Sequence, residues 1–137
     1  MAKRQDGVQL TGLQLEVLQI LWDREEASVA QVHEALAARG RKMAYTTAMT
    51  LCRRMAKRGL LTFYERDRAY IYSPVHKRKS LLKRLLAGIA DRAFGGSEAE
   101  LALTVLADAK IDADELAELE KLLAAKTREL RSRRKRS

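Results

Sequence analysis

The sequence predicts a mainly α chain carrying one small β-hairpin. Three observations predict it. Apolar residues recur at offsets of three, four and seven along most of the 137 residues. Two short flanks rich in aromatic and β-branched residues, Leu61–Glu65 and Ala69–Ser73, enclose a charged Arg66-Asp67-Arg68 tip. The single proline, Pro74, closes the second flank.

The elements follow in order. Thr11 and Gln14 have capping-box spacing, and Leu13, Val17, Leu18 and Leu21 then repeat at helical spacing, which predicts a first helix over about 12–23. Ser28 with Gln31 repeats the signature ahead of Val29, Val32, Ala35 and Leu36, for a second helix over 29–38 ended at Gly40. A third runs from Ala44 to Arg58 and stops at Gly59. Its inner stripe is Ala48, Leu51, Cys52 and Met55, and its outer side holds Thr46, Thr47, Thr50, Arg53, Arg54 and Lys57 with no carboxylate. Helix, helix, helix and hairpin on short connections describe a winged helix-turn-helix DNA-binding domain. After Pro74, Leu81, Leu82, Leu85, Leu86 and Ile89 form a helical seam, interrupted by Phe94-Gly95-Gly96. Ser97 with Glu100 caps a helix carrying Leu101, Leu103, Val105 and Leu106. Asp112 with Glu115 caps another carrying Leu116, Leu119, Leu122 and Leu123, with Leu130 beyond. Such leucine faces with few aromatics do not close a core alone, so this C-terminal helical region is expected to bury them against a second copy. The expected organisation is a flexible N-terminus at 1–9, the winged domain at 10–75, a helical dimerisation region at 76–128 and a basic tail at 129–137.

Charge points to the partner. With 27 Lys+Arg against 18 Asp+Glu the chain carries +9, and the excess falls in blocks. Residues 39–58 hold Arg39, Arg41, Lys42, Arg53, Arg54, Lys57 and Arg58 without an acid; Lys77–Arg84 and Arg131–Arg136 are two further basic runs. Basic blocks attract polyanions by counterion release. A recognition helix reads bases from its amino-terminal half, which is Ala44-Tyr45-Thr46-Thr47-Ala48-Met49-Thr50. Thr46, Thr47 and Thr50 can bond base edges or pack on a thymine methyl, Arg53, Arg54 and Lys57 suit phosphates, and Arg41 and Lys42 precede the helix at phosphate level. Arg66 and Arg68 of the wing reach the adjacent backbone or minor groove. The terminal basic run reads equally as a DNA-affinity element or as a solubilising tail.

The segments Leu10–Trp22, Ser28–Leu36, Ala44-Tyr45-Thr46-Thr47 through Leu60, and Arg68-Ala69-Tyr70-Ile71-Tyr72-Ser73-Pro74 resemble the penicillinase-repressor (BlaI/MecI/CopY) family. Phe94-Gly95-Gly96-Ser97 and Asp112–Leu123 resemble its dimerisation region, so the likeness spans about residues 8–125. The resemblance implies a cytoplasmic homodimeric repressor on a palindromic operator. In some relatives a membrane sensor-protease pathway releases the repressor by cleavage in the dimerisation region, here the stretch near Leu101–Leu106. The copper-responsive branch carries cysteine pairs near its carboxy terminus, and this chain has only Cys52, so copper sensing is not expected.

Other features carry bland readings. Cys52 lies on an inner stripe and reads as a small buried hydrophobe. His33 is expected to flank the helix-two core and His76 to follow the wing, neither with a ligand cluster, so no metal or cofactor is expected. Glu25-Glu26 is attributed to a helix start and its macrodipole. No phosphate loop, catalytic triad or membrane-spanning run presents itself, which argues against an enzyme. Two alternatives to a sequence-specific repressor stand: a non-specific or architectural nucleic-acid binder, and a protein-interaction module whose helix-three face meets an acidic partner.

Overall fold

In the computed structural model residues 8–136 are described. Residues 1–7 of the expected flexible terminus and Ser137 lie outside them. The chain divides into two compact units, the first ending at Glu98 and the second starting at Ala99.

The first unit contains α1 (Gly12–Arg24), β1 (Ala27–Ser28), α2 (Val29–Ala38), α3 (Tyr45–Lys57), β2 (Leu61–Arg66), β3 (Ala69–Pro74) and α4 (Arg78–Ala93). Local chemistry sets these bounds. Thr11 Oγ1 accepts from the Gln14 amide at 3.1 Å while the Gln14 side chain accepts from the Thr11 amide at 2.9 Å. Ser28 and Gln31 repeat this reciprocal cap at the start of α2. At the other ends, Gly40 (φ +87°) and Gly59 (φ +81°) take the left-handed conformation. They allow Arg41 to donate back to the Leu36 carbonyl at 2.8 Å and Leu60 to that of Met55 at 2.9 Å, the Schellman closure.

The strands form an antiparallel sheet of order β1-β3-β2. Two-residue β1 pairs Ala27 with Tyr72 and Ser28 with Ile71, an element absent from the sequence reading. The hairpin pairs Leu61 with Pro74 through Arg66 with Ala69, leaving Asp67 and Arg68 as the turn, both at positive φ (50° and 64°). A primed two-residue turn requires this, and it matches the twist of the strands. Because β3 is central, it alone buries consecutive side chains: Tyr72 joins the helical core and Ile71 is buried on the opposite face.

That core is Val17, Leu18 and Leu21 of α1, Val32 and Leu36 of α2, Ala48, Cys52 and Met55 of α3, and Leu60, Leu61 and Tyr72 at the sheet. Two members revise the expected boundaries. Val8, assigned to a flexible terminus, is buried in it, and so is Leu81 of α4, which is 1% exposed. Leu81 is therefore occupied inside its own chain and cannot serve as a dimer contact, and α4 belongs with the winged domain. The Trp22 indole N–H donates to the His76 carbonyl at 3.0 Å, fastening the segment between wing and α4 to α1.

The second unit holds α5, which opens at Glu98 and ends at Asp108, and α6 (Ala113–Arg136). Asp112 caps α6: its carboxylate accepts from the Glu115 amide at 2.8 Å and its own amide donates to Glu115 at 3.0 Å. The basic run that the sequence placed in a tail continues α6 as helix to Arg136. No residue of α5 or α6 is buried.

Candidate nucleic-acid interface

Helix α3 presents two unlike faces. Ala48, Cys52 and Met55 are fully buried, and burial pushes the Cys52 thiol up to about 11. A thiol held neutral in apolar surroundings is inert, which fits a small core residue. The opposite face exposes Tyr45, Thr46, Thr47, Thr50, Arg53, Arg54 and Lys57. α3 also differs from α1 and α2 at its start: Ala44 provides no side-chain cap. The first amides of α3 are thus left for water or for a phosphate oxygen. The turn before it is fixed by His33, whose Nε2 lies 2.6 Å from the Met43 carbonyl, and Tyr45 packs edge-on against the same ring at 5.9 Å.

The basic residues fall into two groups. Lys42, Arg53, Arg54, Lys57 and Arg68 make no ion pair or side-chain hydrogen bond among the described residues. Their charge faces solvent uncompensated. Arg41 and Arg66, by contrast, are held by carboxylates. Arg41 donates to Glu16 through Nε at 2.8 Å and through Nη2 at 2.6 Å. Arg66 donates to Glu26 at 3.0 Å, the Tyr64 hydroxyl donates to the same carboxylate at 3.0 Å, and the Arg66 guanidinium lies 5.4 Å from the centre of the Tyr64 ring. Desolvation, aided by the Glu26 hydrogen bond, raises the Tyr64 hydroxyl above its ordinary range. Glu26 is therefore a wing clamp rather than a helix-start charge, and Glu25 is the C-cap of α1 at φ +75°. Arg58 donates to Gln14 and to the Gln9 carbonyl, tying the end of α3 to the chain before α1. The sequence reading missed Glu16, Glu26 and Tyr64, whose partners lie 25–40 residues away.

A row of aromatics flanks this face. Phe63 and Tyr70 of the hairpin lie with ring centres 4.8 Å apart at a 51° tilt, are each about half exposed, and adjoin buried Tyr72. Leu82, Leu85, Leu86 and Ile89 of α4, expected in a dimer seam, line an open groove of about 660 Å³ together with Val8, Leu10 and Leu15. In the second unit Leu101 and Leu119 are half-buried and Val105, Leu106, Leu116 and Leu123 exposed. Among the described residues no helix is long and apolar enough to cross a membrane, and no group of His, Cys, Asp or Glu gathers to hold a metal ion.

The penicillinase repressor family model matches residues 10–125. Over 116 residues the chain is 40% identical to the transcriptional regulator BlaI of Mycobacterium tuberculosis, in both strain CDC 1551 and strain H37Rv, spanning 84% of this chain and 83% of the relative. The solved complex of hsRosR-S4 is similar in fold, with TM-score 0.51 at 19% identity, covering 93% of this chain and 97% of that one. The relatives of this sequence are transcriptional regulators, not enzymes. Three helices, a paired wing and a match across most of its length place the chain in one group: it belongs to the penicillinase repressor family of DNA-binding transcriptional regulators.

Proposed function

We propose that this protein is a cytoplasmic, sequence-specific transcriptional repressor that acts as a homodimer on a palindromic operator. The observation that carries the reading is the outer face of α3: exposed threonines at its amino-terminal half, free arginines and a lysine beyond them, and no acid. Inserted into the major groove, Thr46, Thr47 and Thr50 read base edges, and Tyr45 borders them. Lys42, Arg53, Arg54 and Lys57 neutralise phosphates, and Arg68 extends the contact to the flanking backbone. Arg41 and Arg66 add theirs by exchanging Glu16 and Glu26 for phosphate. Two such domains on a two-fold axis require half-sites about one helical turn apart, roughly 34 Å. Occupying a promoter represses it.

Release follows from loss of the dimer, since one domain alone forfeits the effective concentration that the second supplies. The stretch Leu101–Leu106 of α5 is the candidate cleavage region for a protease under a sensor pathway. Leu103 and Val105 there are 67% and 59% exposed, which supports its access.

The test is competition between the protein's own promoter and random duplex at physiological salt. A repressor keeps a preference on the order of a thousandfold or more; equal binding makes it an architectural protein, and no binding at low salt makes it a protein-interaction module. Within the interface, Arg53→Ala is expected to weaken both DNAs and flatten the salt slope by about 1. Thr46→Ala is expected to cost the operator alone about 1–3 kcal/mol. Equal losses on both DNAs remove Thr46 from base reading.

A further inference from the structure

Among the helices of the first unit, α3 is the one whose start must be placed most accurately, since Thr46, Thr47 and Thr50 stand on its first turns. Its own sequence does little to place it. Thr11 and Ser28 fix α1 and α2 by reciprocal caps with a glutamine three residues on, whereas Ala44 has no side chain that can cap α3. The approach is equally loose. The Arg41 amide closes α2 on the Leu36 carbonyl, and the Ala44 carbonyl accepts from the Thr47 and Ala48 amides. Between them, Lys42 and Met43 make no backbone hydrogen bond among the described residues.

A side chain of α2 spans this gap. The half-buried His33 imidazole brings Nε2 to 2.6 Å from the Met43 carbonyl and meets the Tyr45 ring edge-on at 5.9 Å, with 77° between the ring planes. It holds the chain on both sides of Ala44, once before the helix and once at its first residue. A carbonyl only accepts, so Nε2 carries the hydrogen. We infer that His33 is a positioning residue for base reading: it sets where α3 begins, and through that the aim of Thr46 and Thr47. The inference rests on α3 as the DNA-reading helix and adds what aims it. Short and long side chains respond differently to a misplaced helix start. Ala48, Cys52 and Met55 keep α3 docked on the core, so any shift is small. A threonine hydroxyl sits one bond from Cβ, and a hydrogen bond tolerates only about 0.5 Å in length. Arg53, Arg54 and Lys57 reach phosphates on long stems that absorb such a shift. Loss of the His33 contact therefore costs discrimination and spares bulk affinity.

The experiment compares the full-length native chain with His33→Leu and His33→Gln. Each is titrated with a duplex of the protein's own promoter and with a random duplex of equal length, at one salt concentration. Leucine fills much of the space without a donor, and glutamine returns an amide N–H at a reach similar to that of Nε2. His33→Leu is expected to lower the ratio of promoter to random affinity about tenfold, with random-duplex affinity within about twofold of native. His33→Gln is expected to bring the ratio back to within about threefold of native. Equal losses on both duplexes, or a lower unfolding midpoint with an unchanged ratio, make His33 a packing residue and overturn the inference. So does failure of glutamine to rescue while both variants stay folded by circular dichroism. If the native chain itself shows no preference for its promoter, the base-reading role of α3 falls, and the aiming role with it. A second measurement needs no variant. NMR of the His33 ring nitrogens in the native chain is expected to place the hydrogen of the neutral ring on Nε2; a neutral ring with its hydrogen on Nδ1 overturns the contact with Met43.

Discussion

The two units use leucine at helical spacing in opposite ways. In the first, Leu18, Leu21, Leu36 and Leu81 are at most 1% exposed, because helices crossing over a small sheet supply a covering surface for each stripe. In the second, Leu103, Leu122, Leu123 and Leu130 are more than half exposed, and two helices joined by a short connection supply none. The difference lies in the neighbours, not in the spacing. The aromatic and β-branched strands let the first unit close: Tyr72 is the largest of its fully buried side chains, and the second unit has no aromatic residue at all. Burying a leucine stabilises by about 2 kcal/mol. The first unit draws that gain from within one chain. The second is left with apolar faces whose burial depends on another.

The most severe way to break this contrast is to truncate one leucine from each side. Leu81→Ala should cost the first unit about 3 kcal/mol, the transfer term plus the cavity it leaves. Urea unfolding measures it. The same truncation at Leu123 should leave that transition in place and shift self-association instead, read by sedimentation. If Leu81→Ala altered association and not stability, α4 would belong with the second unit.

A somewhat smaller effect uses alkaline pH. Cys52 is neutral in the folded protein up to about 11, against an ordinary value of 9.0. Between those values the unfolded chain gives up a proton that the folded chain keeps, so stability falls as pH rises through that window and is fully present below it. Two pH units correspond to at most roughly 2.7 kcal/mol. Burial raises the Tyr72 hydroxyl in the same direction, with the adjacent Cys52 adding to it. Comparing Cys52→Ala with the native chain from pH 8 to 11 isolates the thiol: the gap between them should close or reverse in favour of alanine as pH rises. A constant gap would place Cys52 outside the core. Residues 99–136 contain no buried titratable group, so no such desolvation effect arises within the second unit.

Relief of backbone strain should act on the first unit alone. Glu25 closes α1 at φ +75° and ψ −41°, a region that side chains avoid, while its amide donates to the Leu21 carbonyl at 2.7 Å. Glu25→Gly keeps the hydrogen bond and removes the clash, for a gain of about 1 kcal/mol in unfolding free energy. An unchanged or lowered midpoint would mean that the Glu25 side chain earns its place through a contact outside the described geometry.

How much of this was legible in the sequence depended on range. Both capping boxes, the inner stripe of α3 and the hairpin were readable, because each is set by residues within a few positions of one another. β1 was not: a two-residue strand exists only through its pairing with β3, more than forty residues on, and Ala27-Ser28 has no strand character of its own. Leu81 and Leu82 looked alike because spacing assigns a residue to a face without saying what covers it. The exposed face of α3 was legible as composition, an acid-free run. The state of its arginines was not, since Glu16 and Glu26 reach Arg41 and Arg66 across the fold.

Those two pairs lead to the smallest effect, and to one that separates the units by how they use charge. In α6, Glu120 and Arg128 have no ion pair among the described residues. At the wing, Glu26 already occupies Arg66, with both side chains about half exposed (41% and 53%). An exposed pair contributes little to stability, roughly 0.5 kcal/mol, so Glu26→Gln should barely move the unfolding midpoint. Its effect on DNA should have the opposite sign. Glu26 competes with phosphate for Arg66 and adds a negative charge beside the duplex, so removing the charge should tighten binding about two- to threefold at low salt and steepen the salt dependence. Tyr64→Phe, which deletes one hydrogen bond and leaves the carboxylate, should not tighten it. Weaker binding by Glu26→Gln would show that Glu26 positions Arg66 for the phosphate rather than withholding it.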